Sequence, residues 1–121
     1  MIKKIFFAIL YTVIVLPLTA QRVYNIKNFG AKGDGKTDDA IAIQKAIDAC
    51  SKTGGQVLVP EPFTFMASPF NLKSNIDFHV EAGAKVLANP NEKVYTKNAF
   101  RNNPGEGTIW IGGENINNLT I

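Results

Sequence analysis

A change of hydrophobic period between Thr37 and Pro60 constrains this chain more than any other feature. Ile43, Ala46, Ile47 and Cys50 recur at helical spacing and make one apolar stripe. Gly54-Gly55 then stops the helix, and Val57 and Val59 alternate along a short strand that Pro60 ends. Upstream, Gly30 to Lys36 is a turn-rich loop carrying Gly30, Gly33 and Gly35. The spacing predicts a helix over 38–52. Thr37 is placed to cap it, Asp38 and Asp39 stand in a first turn that favours negative charge, and Lys52 lies near the end.

The first twenty residues read as a signal peptide rather than as part of the fold. Lys3 and Lys4 give a basic start, and Ile5 to Leu16 is apolar apart from Tyr11 and Thr12. Pro17-Leu18-Thr19-Ala20 then breaks the run, which places cleavage near Ala20, although Leu18 is larger than the ideal residue there. The run is shorter than the roughly 20 residues that span a bilayer, so a stable membrane span is not expected. Secretion or periplasmic export follows. No cysteine stands directly after the run, so no lipid anchor is expected. Removing residues 1–20 takes away Lys3 and Lys4 and no acid, so the formal charge falls from +3 to +1. The apparent basicity belongs to targeting and points to no nucleic acid.

Beyond the helix the pattern is that of short strands. Val23 to Phe29 reads as extended. Ile76, Phe78 and Val80 alternate with Asp77, His79 and Glu81, which marks a half-buried strand. Glu81-Ala82-Gly83 turns the chain, and Lys85 to Ala88 is a further strand. Residues 89–107 hold two prolines and five asparagines and read as a long loop. Thr108 to Ile111 is strand again, Gly112-Gly113 turns, and Asn115 to Ile121 begins another. Short strands without hairpin signals favour a solenoid. Asn75-Ile76-x-Phe78 is echoed weakly by Asn115-Ile116-x-x-Leu119, as two successive coils would be.

Few residues offer chemistry. Gly30 to Thr37 matches G-x-x-x-x-G-K-T, the phosphate-binding loop, between a strand and a helix. Asp34, Asp38 and Asp39 would repel the polyphosphate such a loop must attract, so the match is read as coincidence and no nucleotide is expected. Asp38-Asp39 is a poor catalytic pair, because adjacent helical residues diverge. His79, the only histidine, lies on the strand face opposite Ile76 and Phe78 and is expected in solvent. Single histidine and cysteine residues exclude multi-histidine and thiolate metal clusters within this chain, and Cys50 is expected as a buried apolar side chain. Trp110 is expected to pack. Tyr95 and Phe100 lie in the polar loop, where exposure to a ligand is the alternative to packing. Asn118-Leu119-Thr120 is a glycosylation sequon, which has meaning only in a eukaryotic secretory pathway.

Taken together, Asn28–Gly35, Thr37-Asp38-Asp39, Ile43-Gln44-x-Ala46-Ile47-x-Ala49-Cys50 and Gly54-Gly55-x-Val57-x-Val59-Pro60 resemble the N-terminal cap of the pectin-lyase-like superfamily. Ser68 to Ala84 is similar to glycoside hydrolase family 28, the polygalacturonases and rhamnogalacturonases. The resemblance covers Val23 to about Leu87, thins through the loop, and resumes at Asn115. It implies an all-β fold: the N-terminal part of a right-handed parallel β-helix, or β-solenoid, with one capping α-helix. Residues 21–121 would then be the cap and first coils of a truncated domain. It implies hydrolysis of galacturonan glycosidic bonds with inversion, a pectic polysaccharide as partner, a monomeric parent and no cofactor or metal. The alternatives are a polysaccharide lyase, which would call for calcium, and a non-enzymatic glycan-binding or structural β-helix.

The family's catalytic motifs, Asn-Thr-Asp, Asp-Asp after a glycine-rich strand, Gly-His-Gly and Arg-x-Lys, do not occur in this sequence. No catalytic, cofactor-binding or metal-binding residue is therefore assigned. On its own the chain is expected to be inactive and prone to aggregate through an open strand edge.

Overall fold

A computed structural model describes residues 20–96 and 108–121. Among the described residues, nine short strands and one α-helix follow each other. They are β1 (Val23–Asn25), β2 (Asp34–Asp38), α1 (Ala40–Thr53), β3 (Gly55–Val59), β4 (Thr64–Ala67), β5 (Phe70–Asn71), β6 (Ile76–Val80), β7 (Lys85–Ala88), β8 (Ile111–Gly112) and β9 (Leu119–Thr120). Every pairing among them is parallel. Three sheets result, ordered β1-β3-β6-β9, β2-β4-β7 and β5-β8. The chain thus winds through the three sheets in turn and lays each circuit on the one before it.

Stacked circuits put like side chains in columns. Val57 stands on Phe78, Phe65 on Val86, Ala67 on Ala88 and Phe70 on Ile111. Phe70 also packs against Phe78 at 5.8 Å and meets Trp110 edge-on at 6.4 Å, an arrangement that suits the ring quadrupoles. Trp110 is half-buried, and its indole N–H donates to the Ala67 carbonyl at 2.9 Å. It packs, as its sequence setting leads one to expect.

In the first circuit α1 occupies the place that β5 and β8 take in the next two. Its stripe of Ile43, Ala46, Ile47 and Cys50 is fully buried against Ile26, Val57 and the neighbouring core. Burial pushes the Cys50 thiol above its ordinary value, and the Asp77 carboxylate adds to the rise. The helix also satisfies the strand edge beneath it. Gln44 Nε2 donates to the Asn71 carbonyl at 3.0 Å, and the Asn71 amide donates to Gln44 Oε1 at 2.8 Å. One side-chain amide therefore stands in for the missing neighbouring strand of β5, whose other edge is paired with β8. Ser51 Oγ donates to the Ser74 carbonyl at 2.8 Å in the same way.

Corners repeat where the chain enters the largest sheet. Gly54, Asn75 and Asn118 each precede a paired strand of that sheet and have φ of 74°, 63° and 60°. Glycine and asparagine tolerate a positive φ most readily. The sequence echo therefore has a different register from the expected one: Ile76 stands against Leu119, and Asn118, not Asn115, continues the Asn75 corner. Asn115 is left-handed too, at φ 52°, so residue type alone does not separate the two.

Several expected boundaries move. The extended segment 23–29 splits, because the Asn25 side chain accepts the Lys27 amide at 3.0 Å and starts a 3-10 turn over Ile26–Phe29. Part of the expected glycine loop is strand β2, paired with β4. Thr37 lies in that strand and does not cap α1; its hydroxyl donates to Asp34 Oδ2 at 2.8 Å. Asp38 and Asp39 precede the helix, whose first turn holds no acid. β4 and β5, flanked by Pro60, Pro62 and Pro69, have no counterpart in the sequence reading. The strand expected at 108–111 is Ile111–Gly112, and Gly112 is a paired strand residue, not a turn. A Cβ there would stand 3.0 Å from Asn71 Oδ1, so glycine permits close stacking. Val80, expected on the buried face, is 38% exposed, because β9 pairs β6 only at Ile76 and Asp77.

Candidate functional site

The polar groups with most partners gather where the sheet β2-β4-β7 meets α1 and the long connection after β7. Asp39, only 2% exposed, is the buried acid among the described residues. Its carboxylate accepts the Lys32 amide at 2.8 Å and the Gly33 amide at 3.1 Å. Asp34 accepts the amides of Lys36 and Thr37 at 2.9 and 2.7 Å. The Thr37 amide first, then the Lys36 amide and the Thr37 hydroxyl, hold the Asp34 carboxyl down at about 2. The backbone donors that a phosphate-binding loop would aim at a nucleotide are thus turned onto the chain's own carboxylates.

Asp38 joins three circuits. Its Oδ1 accepts the Ala40 amide at 3.1 Å and the Ser68 amide at 3.0 Å, and its Oδ2 accepts the Ser68 hydroxyl and Asn89 Nδ2, the latter at 3.3 Å. Burial pushes this carboxyl up, but the Ser68, Ala40 and Asn89 donors outweigh it and hold it below the ordinary value. Asn89 Nδ2 also donates to Ser68 Oγ at 3.1 Å, and its Oδ1 accepts the Asn91 amide at 2.9 Å. The Tyr95 hydroxyl donates to the Asn89 carbonyl at 2.6 Å. Tyr95 is half-buried and serves this turn. Phe100 lies outside the described residues.

His79 is exposed, as expected. The structure does not bring it together with Asp34 and Asp38, which belong to another sheet, or with Asp39, which precedes α1. Asp48 pairs with Lys73 at 2.8 Å, which holds its carboxyl below the ordinary value. A cavity of about 220 Å³ lies among Ser68, Phe70, Val94, Thr96 and Trp110. A wider polar cleft of about 480 Å³ follows the helix end, bordered by Lys52, Asp77, Asn75 and Asn118. Among the described residues no three His, Cys, Asp or Glu side chains converge as metal ligands would, and no helix is long and apolar enough to cross a membrane. The Asp38–Ser68–Asn89 set was missed by the sequence reading. Its members lie far apart in the chain, and only the stacking of circuits joins them.

This architecture defines a mostly β protein of parallel stacked strands whose first circuit is completed by a single helix. Comparison with known proteins narrows the class. The family described as rhamnogalacturonase A/epimerase, pectate lyase-like, matches residues 23–120, and the chain belongs to it. An exo-poly-alpha-D-galacturonosidase of Dickeya chrysanthemi is 40% identical over 84 residues, which is 69% of this chain and 14% of that protein. The family 28 exopolygalacturonase of Yersinia enterocolitica superposes with a TM-score of 0.65 at 33% identity, covering 82% of this chain and 18% of that one. The exopolygalacturonase of Thermotoga maritima gives 0.67 at 31% identity, covering 83% and 23%. The chain therefore spans less than a quarter of these relatives.

Proposed function

We propose that the chain is the N-terminal portion of a secreted, pectin-degrading glycoside hydrolase of the polygalacturonase type, folded as the capped start of a right-handed parallel β-helix. The observation that carries this is the similarity to exopolygalacturonases across more than two thirds of the chain, in sequence and in structure alike. The whole protein would hydrolyse galacturonan with inversion. Its paired carboxylates would stand about 6.5–9.5 Å apart, with room for the attacking water. Those carboxylates are assigned to coils beyond β9, because the family's catalytic motifs do not occur in these 121 residues.

The end of the stack opposite α1 supports the reading. Phe70, Phe78, Val80, Ile111 and Ile121 line an open apolar hollow of about 300 Å³ there. A further circuit would cover those side chains as α1 covers the other end. Residues 1–20 would direct export and be removed near Ala20.

A second reading has an observation of its own. The surface adhesin PfbA of Streptococcus pneumoniae superposes over 54% of this chain with a TM-score of 0.51 at 37% identity. Similarity to an alginate lyase of Azotobacter vinelandii, 75% identical, is confined to 32 residues. Parts of this chain are thus similar to proteins of different activity, and a glycan-binding or lyase parent is the alternative. Assay of the protein encoded by the complete gene on polygalacturonate separates them. New reducing ends without ultraviolet absorbance support the hydrolase. An unsaturated, absorbing product would establish a lyase, and binding without cleavage an adhesin. Hydrolysis by the 121-residue chain alone would refute the placement of the catalytic groups.

A further inference from the structure

We propose that Asp38 is a positioning residue: its carboxylate clamps three successive circuits and thereby fixes where the segment Asn89–Tyr95 leaves the stack. The inference is independent of the substrate. Residues 89–110 join β7 to β8, and of these 89–96 and 108–110 are described. A connection of this length is free to leave its sheet in many directions unless its root is held. At the root stands Asn89, whose amide donates to the Ala67 carbonyl at 3.0 Å as the last rung of the β4–β7 ladder.

The side chain of Asn89 is oriented from both ends. Nδ2 faces two acceptors, Asp38 Oδ2 at 3.3 Å and Ser68 Oγ at 3.1 Å. This leaves Oδ1 pointing forward to receive the Asn91 amide at 2.9 Å. Asn91 in turn accepts the Lys93 amide at 3.1 Å through its side chain and the Val94 amide at 3.2 Å through its carbonyl. Tyr95 closes the turn, with its amide on the Glu92 carbonyl and its hydroxyl on the Asn89 carbonyl. The later links are built on the turn that the first one starts, and the first, from the Asn91 amide to Oδ1, depends directly on which way the Asn89 amide faces. A carboxylate at position 38 decides that, because it accepts and never donates when ionised.

Amide hydrogen exchange of the protein encoded by the complete gene tests the clamp. In the unaltered protein the Asn91, Val94 and Tyr95 amides should be protected. In Asp38→Asn, the new NH₂ opposes Asn89 Nδ2, donor against donor. These three amides should then exchange roughly tenfold faster or more, the factor carried by one charge-assisted hydrogen bond. The Gly54 amide, bonded to the Cys50 carbonyl, should not change. The double variant Asp38→Asn with Asn89→Asp reverses donor and acceptor and should restore protection, which a general loss of packing would not allow. If Asp38→Asn loosens the whole chain, the double variant still decides: recovery supports the clamp and failure to recover overturns it. Unprotected 91–95 amides in the unaltered protein, or no acceleration in Asp38→Asn, would also overturn it.

Discussion

Replacing Ile47 by alanine tests the placement of α1 directly, because the same helix carries its own control. Ile47 is 0% exposed and sits in the stripe that closes the first circuit, whereas Ile41, on the opposite face, is 73% exposed. Truncating Ile47 removes three carbons from a site with no water. At about 0.8 kcal/mol per buried carbon the transfer cost alone is about 2.4 kcal/mol. The cavity left among Ile43, Cys50 and Val57 raises the expected total to about 3–5 kcal/mol. Ile41→Ala removes the same atoms from solvent and should change stability by less than about 0.5 kcal/mol. Urea unfolding followed by Trp110 fluorescence reads both, since the single tryptophan is held by Phe70 and the Ala67 carbonyl. With a slope near 1 kcal/mol per molar for a chain of this size, the Ile47→Ala midpoint should fall by about 3 M or more relative to Ile41→Ala. Equal midpoints would refute the closure of the stack by this helix.

Gln44→Ala should cost about 1 kcal/mol, since water replaces part of two partly exposed hydrogen bonds, and hydrogen exchange at the Asn71 amide should accelerate with it. Gly33→Ala should destabilise by more than about 2 kcal/mol, because a Cβ at φ +68° would stand 2.9 Å from Phe63 Cβ; Gly30→Ala at φ +101° meets open space and should lose only about 1 kcal/mol. Thermal melts of the two variants give the comparison. Acid should weaken the fold in a window set by Asp34. Its folded value of about 2 lies below the ordinary 3.8, so its contribution is present above 3.8 and is lost as pH falls through about 2. Asp34→Asn should flatten that part of a stability-against-pH curve. The Cys50 thiol, buried and raised, should react with a disulfide reagent only as fast as the chain opens; rapid labelling of native protein would contradict its burial.

Local chemistry made much of this protein readable from its residues. The helix and its buried face, the glycine stop after it and the alternating strands β3 and β6 are written in spacings of two and of three to four residues. Those spacings report which neighbours share a face, and the family resemblance rested on the same punctuation. The exposed His79 followed from the same periodicity, whereas Trp110 stands between Ile109 and Ile111, where alternation left either face open. What the spacings could not carry was pairing between distant segments. β2 is Asp-Gly-Lys-Thr-Asp, with no apolar residue to mark it. It is a strand because β4 lies beside it. Asn115 and Asn118 are both left-handed, and only the strand that follows shows which one continues the corner. Asp34, Asp38 and Asp39 look alike in sequence, yet one closes its own turn, one ties three circuits and one fastens the glycine loop. Most of their hydrogen bonds run to backbone amides, which carry no residue type from which such a contact can be read, and the Ser68 and Asn89 partners of Asp38 are brought near only by stacking. Side-chain pattern determined what each segment was; the order in which the circuits were laid on one another decided what each segment touched.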